Sequence, residues 1–245
     1  MDTPEIFSKP PLPNQYEGKS NQELIGMNED KDRKIAELEN LAYKDTLTGA
    51  YSRLVRDDQF FRMVAAAERS ERIKSRSLET SEESKNETTP PLTPMIMSLD
   101  LNKFKKLNDK YGHAVGDEAL KFLSQLSKDI LRSGDFFCRV GGDEFQILFN
   151  TLTPAQAAAV CNRLQEAYSK WSHELTPLDQ KDHPTVSFGL AVWQKGLTPD
   201  ELIRRSDVAS YVAKRNNIEV VEWSPMIQEE YDRQKLIEKE KPAER

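Results

Sequence analysis

"FFCRVGGDEFQILF", Phe136 to Phe149, sets two apolar runs of strand length on either side of two glycines and two adjacent acids. The runs have the pattern of buried strands, and the glycines between them read as a two-residue hairpin turn. Asp143 would then begin the second strand, with Glu144 after it. A carboxylate at the margin of a buried strand costs several kcal/mol unless something pairs with it. Either the two acids sit in an exposed turn, or they hold something positive.

Working outward, "MIMSLDL" (95–101) reads as a buried strand that ends on another acid, Asp100. If that strand lies beside the hairpin, Asp100 and Asp143 meet at one sheet edge. Two close carboxylates repel and raise each other's pKa unless a cation joins them. Oxygen ligands without His or Cys favour Mg²⁺, which is commonly held by one or two carboxylates plus substrate phosphates. Gly141 and Gly142 would let a phosphate ester approach the backbone closely.

The remaining text alternates elements. Helical periodicity covers 21–43, where Ile35, Leu38 and Ala42 form a narrow apolar seam, and about 53–74, with Thr46 or Thr48 offered as a cap. "RSLETSEESKNETTPPLTP" (76–94) is acidic, Ser/Thr-rich and closed by prolines, and is expected to be a flexible insertion. Two helices, ending at Gly112 and near Arg132, precede the hairpin. The second shows Leu120, Leu123, Leu126 and Ile130 on one face. A helix from Pro154, a strand "TVSFGLAVW", a helix from Pro199, a last strand "IEVVEW" and a charged tail follow. The expectation is an α+β fold: a central, mostly antiparallel sheet flanked by helices, with an N-terminal helix. The domain plan is 1–20 disordered, 21–43 a helix serving as a dimerising coil or packed on its own domain, 44–223 the main domain, and 224–245 a tail outside the core.

Bulk properties narrow the function. The 245 residues carry a formal net charge of −6, so no global basic field draws the chain to nucleic acid or anionic membrane. No apolar run approaches the roughly 20 residues of a membrane helix. No basic-then-apolar leader opens the chain. Cys138 and Cys161 lack metal-ligand or disulfide spacing. A reducing, cytoplasmic location is expected.

Five blocks stand in a fixed order: "DTLTGAYSR" (45–53), "LDLNKFKKLNDKYGHAVGDEAL" (99–120), "RSGDFFCRVGGDEF" (132–145), "VSFGLAV" (186–192) and "SDVASYVAK" (206–214). This set resembles the GGDEF family, the diguanylate cyclases of bacterial cyclic di-GMP signalling, whose fold is related to adenylyl cyclase and polymerase palm domains. The resemblance implies Asp100, Asp143 and the Leu101 carbonyl as ligands of Mg²⁺, with Mn²⁺ as a substitute. It implies Glu144 near the attacking 3′-hydroxyl, as a metal-site acid or a base. Asn108 and Asp117 would read guanine, their alternative role being helix caps. The backbone around Lys103 and Phe104, with the Lys214 ammonium, would meet the triphosphate of GTP. Two monomers would face each other as a homodimer and release cyclic di-GMP. Arg132 and Asp135 stand where the family has its RxxD inhibitory motif, with Arg163 as a third contact; the alternative is an exposed Arg–Asp pair. Three positions depart from the family: Asn102 where Asp is usual, Ser52 where Asn is usual, and "AKRNN", which keeps Lys214 but has no arginine four residues later. Arg215 could substitute only from another direction. A catalytically degenerate receptor for cyclic di-GMP or GTP is therefore the alternative reading. With no recognisable sensor domain, the input would come from an upstream sensor or a localisation partner.

Overall fold

A computed structural model describes residues 18–80, 93–150, 153–174 and 183–240. Residues 1–17, most of the expected insertion (81–92) and the last five residues lie outside that description. The chain divides into two units, Met1–Leu41 and Ala42–Arg245.

Helix α1 spans Asn21–Tyr43 and buries none of its residues. Ser20 and Glu23 start it with a reciprocal cap: the Ser20 N–H donates to Glu23 Oε2 at 2.8 Å, and the Glu23 N–H to Ser20 Oγ at 3.3 Å. This capping box satisfies donors that a helix start otherwise leaves unpaired. Ile35, Leu38 and Leu41 are all more than half exposed.

In the second unit the described elements run α2 (Arg53–Thr80), β1 (Met95–Asn102), α3 (Phe104–Tyr111), α4 (His113–Ile130), β2 (Phe136–Gly141), β3 (Glu144–Phe149), α5 (Pro154–Glu174), β4 (Thr185–Val192), α6 (Pro199–Asn216), β5 (Val220–Glu222) and α7 (Pro225–Glu240). The sheet order is β2-β3-β1-β4-β5. All neighbours are antiparallel except β4 and β5, which are parallel. The fold is the expected α+β sandwich, with a mixed sheet.

Strand alternation explains why both faces are covered. Met95, Met97, Leu99 and Leu101 of β1, with Phe145, Ile147 and Phe149 of β3, face one core. Leu120 and Leu123 of α4 and Cys161, Leu164 and Tyr168 of α5 complete it. Ile96, Leu148 and Ala191 face the other way, onto Phe60, Val64 and Ala67 of α2 and Leu202 of α6. Gly189 of β4 is needed here: a Cβ would lie 2.0 Å from the Ser210 amide nitrogen of α6. Cys138 is a buried core residue, its thiol pushed up to about 12 chiefly by burial.

Four local expectations are corrected. The hairpin turn is Gly142-Asp143, not Gly-Gly. Arg139 pairs with Phe145 but Gly141 with Glu144, so Val140 is an extra, bulged residue that keeps Gly141 in β2. Asp143 therefore precedes β3 rather than beginning it. Neither Thr46 nor Thr48 caps α2: the Thr48 N–H and hydroxyl both donate to Asp45 Oδ1, at 2.8 and 2.7 Å, closing a turn of their own. Helix α2 continues to Thr80, inside the stretch expected as loop. The tail forms α7, and its Ile227 packs with Trp223 on Ala209, Ala213 and Val221 rather than standing clear of the domain.

Candidate active site

The strand register puts Asp100 opposite Glu144. Lys214, from the last turn of α6, reaches across and donates from Nζ to Asp100 Oδ1 at 2.6 Å. Burial lifts the Asp100 carboxyl above its ordinary range; the Lys214 hydrogen bond and charge pull the other way, and Asp143 adds to the rise. Glu144 is raised too, by burial first and then by the charges of Asp100, Asp143 and Asp207, with Lys214 opposing. The Asp143 charge thus acts on both Asp100 and Glu144, and the Lys214 ammonium opposes it at both. Asp100 and Glu144 line a cavity of about 660 Å³, Asp143 lines one of about 400 Å³, and Lys214 borders both.

Leu101, Lys103, Phe104, Lys105, Lys106 and Asp109 form the rest of the smaller cavity's wall. Here the chain leaves β1 and turns sharply into α3. Lys103 makes the turn in the left-handed region, with φ 62°, and its carbonyl accepts the Leu107 N–H at 2.9 Å. The first amides of α3 have no partner within their helix and add to the positive character of that end.

Asn108 of α3 packs against Gly116 of α4, the residue before Asp117. A Cβ at 116 would sit 1.9 Å from Asn108 Oδ1, so only glycine lets the amide lie there. Asn108 Oδ1 is buried and has no hydrogen-bond partner, a condition that costs about 1–3 kcal/mol. Helix capping does not account for either residue. The cap between α3 and α4 is Gly112, and Asp117 lies more than a turn into α4.

The hairpin turn is clamped by a residue the sequence reading passed over. Arg139 donates from Nε and Nη2 to the Gly142 carbonyl at 3.0 and 2.7 Å, and from Nη1 to Asp45 Oδ1 at 2.9 Å. One planar fork thus joins the turn beside Asp143 to the Asp45–Thr48 turn. Gly141 stays clear of the acid: a Cβ there would come within 3.2 Å of Glu144 Oε2, while Gly142 faces open space.

A buried polar group lies one step behind the acids on the same sheet face. Ser98 donates to Asp207 Oδ1 at 2.6 Å, Gln146 Nε2 to Ser98 Oγ at 3.0 Å, and Arg56 Nη1 to Gln146 Oε1 at 2.7 Å. It ties α2, β1, β3 and α6 together and so fixes the strands that carry Asp100 and Glu144. Arg56 at the head of the apolar stripe that continues through Phe60, Met63 and Ala67 was the available signal.

The departures from the family pattern have local accounts. Asn102 Nδ2 donates to Thr185 Oγ1 and Ser187 Oγ, both at 2.9 Å, stitching β1 to β4; an ionised Asp could not donate. Ser52 Oγ donates to the Ala42 carbonyl at 2.7 Å. Arg215 is held by Glu238 of α7. Arg132 and Asp135 line a third cavity, of about 440 Å³, between the 44–51 loop and α4. Arg163 is exposed on α5 and is not part of that cavity's wall.

The residues fit a divalent cation that shares its coordination. Among the described residues no three Asp, Glu, His or Cys side chains form a cluster able to hold a metal by themselves. Asp100 and Asp143 offer two hard oxygen groups beside cavities with cationic walls. That matches Mg²⁺ binding, in which one or two carboxylates are joined by phosphate oxygens and water.

Comparison with known proteins agrees with this fold. Residues 74–219 match the family profile described as the GGDEF domain of diguanylate cyclases. The chain belongs to the GGDEF family. It is 30% identical over 185 residues to the probable diguanylate cyclase DgcT of Escherichia coli K12, a match covering 74% of this chain and 36% of DgcT. Diguanylate cyclase DosC of the same organism is 34% identical over 138 residues, 56% of this chain and 29% of DosC. The chain thus spans about a third of the length of these curated relatives. Among solved structures, the coiled coil and GGDEF domain of DgcB from Caulobacter crescentus, in complex with c-di-GMP, shares the fold. Its TM-score is 0.69, with 22% identity, covering 82% of this chain and 96% of that one. The GGDEF domain of DgcB, also with c-di-GMP, has a TM-score of 0.61 and 25% identity over 74% of this chain and 93% of that one.

Proposed function

We propose that this protein is a diguanylate cyclase, which joins two GTP molecules into cyclic di-GMP and releases two pyrophosphates. The observation that carries the reading is Lys214 bonded to Asp100, opposite Glu144 in the sheet, with Asp143 and Lys214 both lining a cavity walled by the start of α3. Asp100, Asp143 and the Leu101 carbonyl would hold Mg²⁺ (or Mn²⁺), which would supply charge neutralisation at the phosphates and a lowered pKa for the 3′-hydroxyl. Lys214 leaves Asp100 when nucleotide arrives and pairs with the triphosphate, together with the amides around Lys103 and Phe104. Asn108 and Asp117 take the guanine edge; the unpaired Asn108 Oδ1 acquires a partner and Asp117 accepts from the N1–H and exocyclic amine. In each transfer a 3′ oxygen forms a bond to the α-phosphorus of the other GTP, the bond to the β-phosphate oxygen breaks, and the 3′ proton passes to Glu144 or to water.

One half-site cannot close the ring, so two copies must meet as a homodimer. The exposed seam Ile35–Leu38–Leu41 on α1 supports its use as the pairing coil. Arg132 and Asp135 form a product site for inhibition by cyclic di-GMP, with no contribution assigned to Arg163.

A second reading, a non-catalytic receptor for cyclic di-GMP or GTP, is favoured by one observation: Arg215, the nearest substitute for the missing arginine, is engaged by Glu238. Incubation of the purified protein with GTP and Mg²⁺, followed by chromatography, separates the two. Cyclic di-GMP and pyrophosphate formed by wild type and lost in Asp143→Ala supports the cyclase; tight cyclic di-GMP binding with no product at any protein concentration supports the receptor.

A further inference from the structure

The cavity lined by Arg132 and Asp135 has a second side that the RxxD motif does not explain. The 44–51 loop lies along the edge of β2: Lys44 bridges to Tyr51, Tyr51 to Cys138, and the Tyr51 N–H donates to the Phe137 carbonyl. Opposite is α4, with Ser124 and Lys128. Three cations, Lys44, Lys128 and Arg132, border this one space. Among the described residues neither lysine ammonium has a carboxylate partner; Lys44 rests only on the Tyr51 ring, 3.1 Å from its centroid. Burial, and then the like charge of Lys128, hold the Lys44 ammonium below its ordinary range. Gly49, with φ 65°, passes close beneath the Lys128 Nζ, which a Cβ would approach to 3.3 Å. Ser124 is fully buried, lines the cavity, and its hydroxyl has no hydrogen-bond partner.

Like charges held together beside an unpaired donor are costly to the empty protein and favourable to an anion. Two ammonium groups and a hydroxyl suit the oxygens of a phosphate ester. Asp135, the acid in the wall, suits the N–H edge of a guanine rather than an anion.

We propose that Lys44, Lys128 and Ser124 form a phosphate subsite that receives the phosphodiester of a cyclic dinucleotide whose guanine is bound at Arg132 and Asp135. This rests on the product-site reading given above, and assigns to that site three residues outside its motif. Lys44 is the chain neighbour of Asp45, whose carboxylate holds Arg139 and through it the Gly142 carbonyl. Ligand drawn onto Lys44 therefore acts one residue from the clamp on the hairpin turn.

The test is calorimetric titration of the full chain with cyclic di-GMP, for wild type, Arg132→Ala and the double variant Lys44→Gln/Lys128→Gln. The double variant is expected to bind about tenfold more weakly or worse, as loss of two charge-assisted contacts implies, and to lose most of the salt dependence of binding. Its melting temperature should equal or exceed that of wild type, because repulsion is removed. Wild-type affinity in the double variant, with binding abolished in Arg132→Ala, overturns the subsite and leaves the product site standing. Undiminished binding in Arg132→Ala overturns the product-site reading instead. Titration with inorganic pyrophosphate in metal-free buffer then decides on the lysines alone: heat lost in the double variant supports the subsite, and equal heat in both proteins overturns it.

Discussion

Lys214 Nζ lies 2.6 Å from Asp100 Oδ1, so the ammonium stands where the carboxylate pair asks for a cation. The Asp100 carboxyl stays above its ordinary range even so, since burial outweighs the lysine. A carboxyl raised in the folded state favours folding while it is protonated, and that advantage is lost as pH rises from the ordinary carboxylate pKa through the raised one. At neutral pH the ionised Asp100 is thus a strain on the metal-free protein. Asp100→Asn should melt at a higher temperature than wild type without ligand, yet only wild type should gain stability from Mg²⁺ with a non-reactive GTP analogue. Differential scanning fluorimetry with and without ligand checks both halves. The same sign makes Mg²⁺ affinity fall as pH drops through the raised range, because the metal competes with the proton.

Removing Lys214 should cost turnover more than folding. Its side chain is 41% exposed, so Lys214→Ala loses a screened pair and leaves Asp100 without its cation, a modest loss of stability, while loss of a charge aimed at the triphosphate costs about 10²-fold or more in kcat/KM. Steady-state rates measured at GTP concentrations below and above KM check the effect.

Arg139→Lys tests the clamp. A lysine cannot reproduce three directed donors shared between Gly142 and Asp45. Activity should fall about tenfold with little change in KM, and stability by about 1–2 kcal/mol. Denaturant unfolding and steady-state kinetics together separate that outcome from general unfolding.

Gly116→Ala should displace the Asn108 amide, because the added Cβ would overlap Oδ1 at 1.9 Å. The overpacking costs about 1–3 kcal/mol. The functional signature is a raised KM for GTP with weakened discrimination against ATP, read by competition assay.

Most of the fold was legible in the sequence because both faces of the sheet are buried and its strands read as continuous apolar runs. Asp100 stood out because packing gives no reason for an acid there. The turn was misplaced by one residue because a bulge at Val140 leaves no mark in composition. Arg139 and Asp45 were passed over for a different reason: each looks ordinary alone, and they meet only through a pairing 94 residues apart in the chain. Asn102 read as a lost acid, but the register of β1 with β4 gives it a separate task. Arg163 is exposed on α5, outside the wall of the cavity that holds Arg132 and Asp135.

The most direct measurement is a crystal structure of the protein with Mn²⁺ and a non-reactive GTP analogue, the ion located by its anomalous signal. The account predicts one ion coordinated by both the Asp100 and Asp143 carboxylates and by nucleotide phosphate oxygens, with Lys214 moved from Asp100 to the triphosphate. An ion bound by only one of these carboxylates, or nucleotide bound with Lys214 still on Asp100, would contradict it.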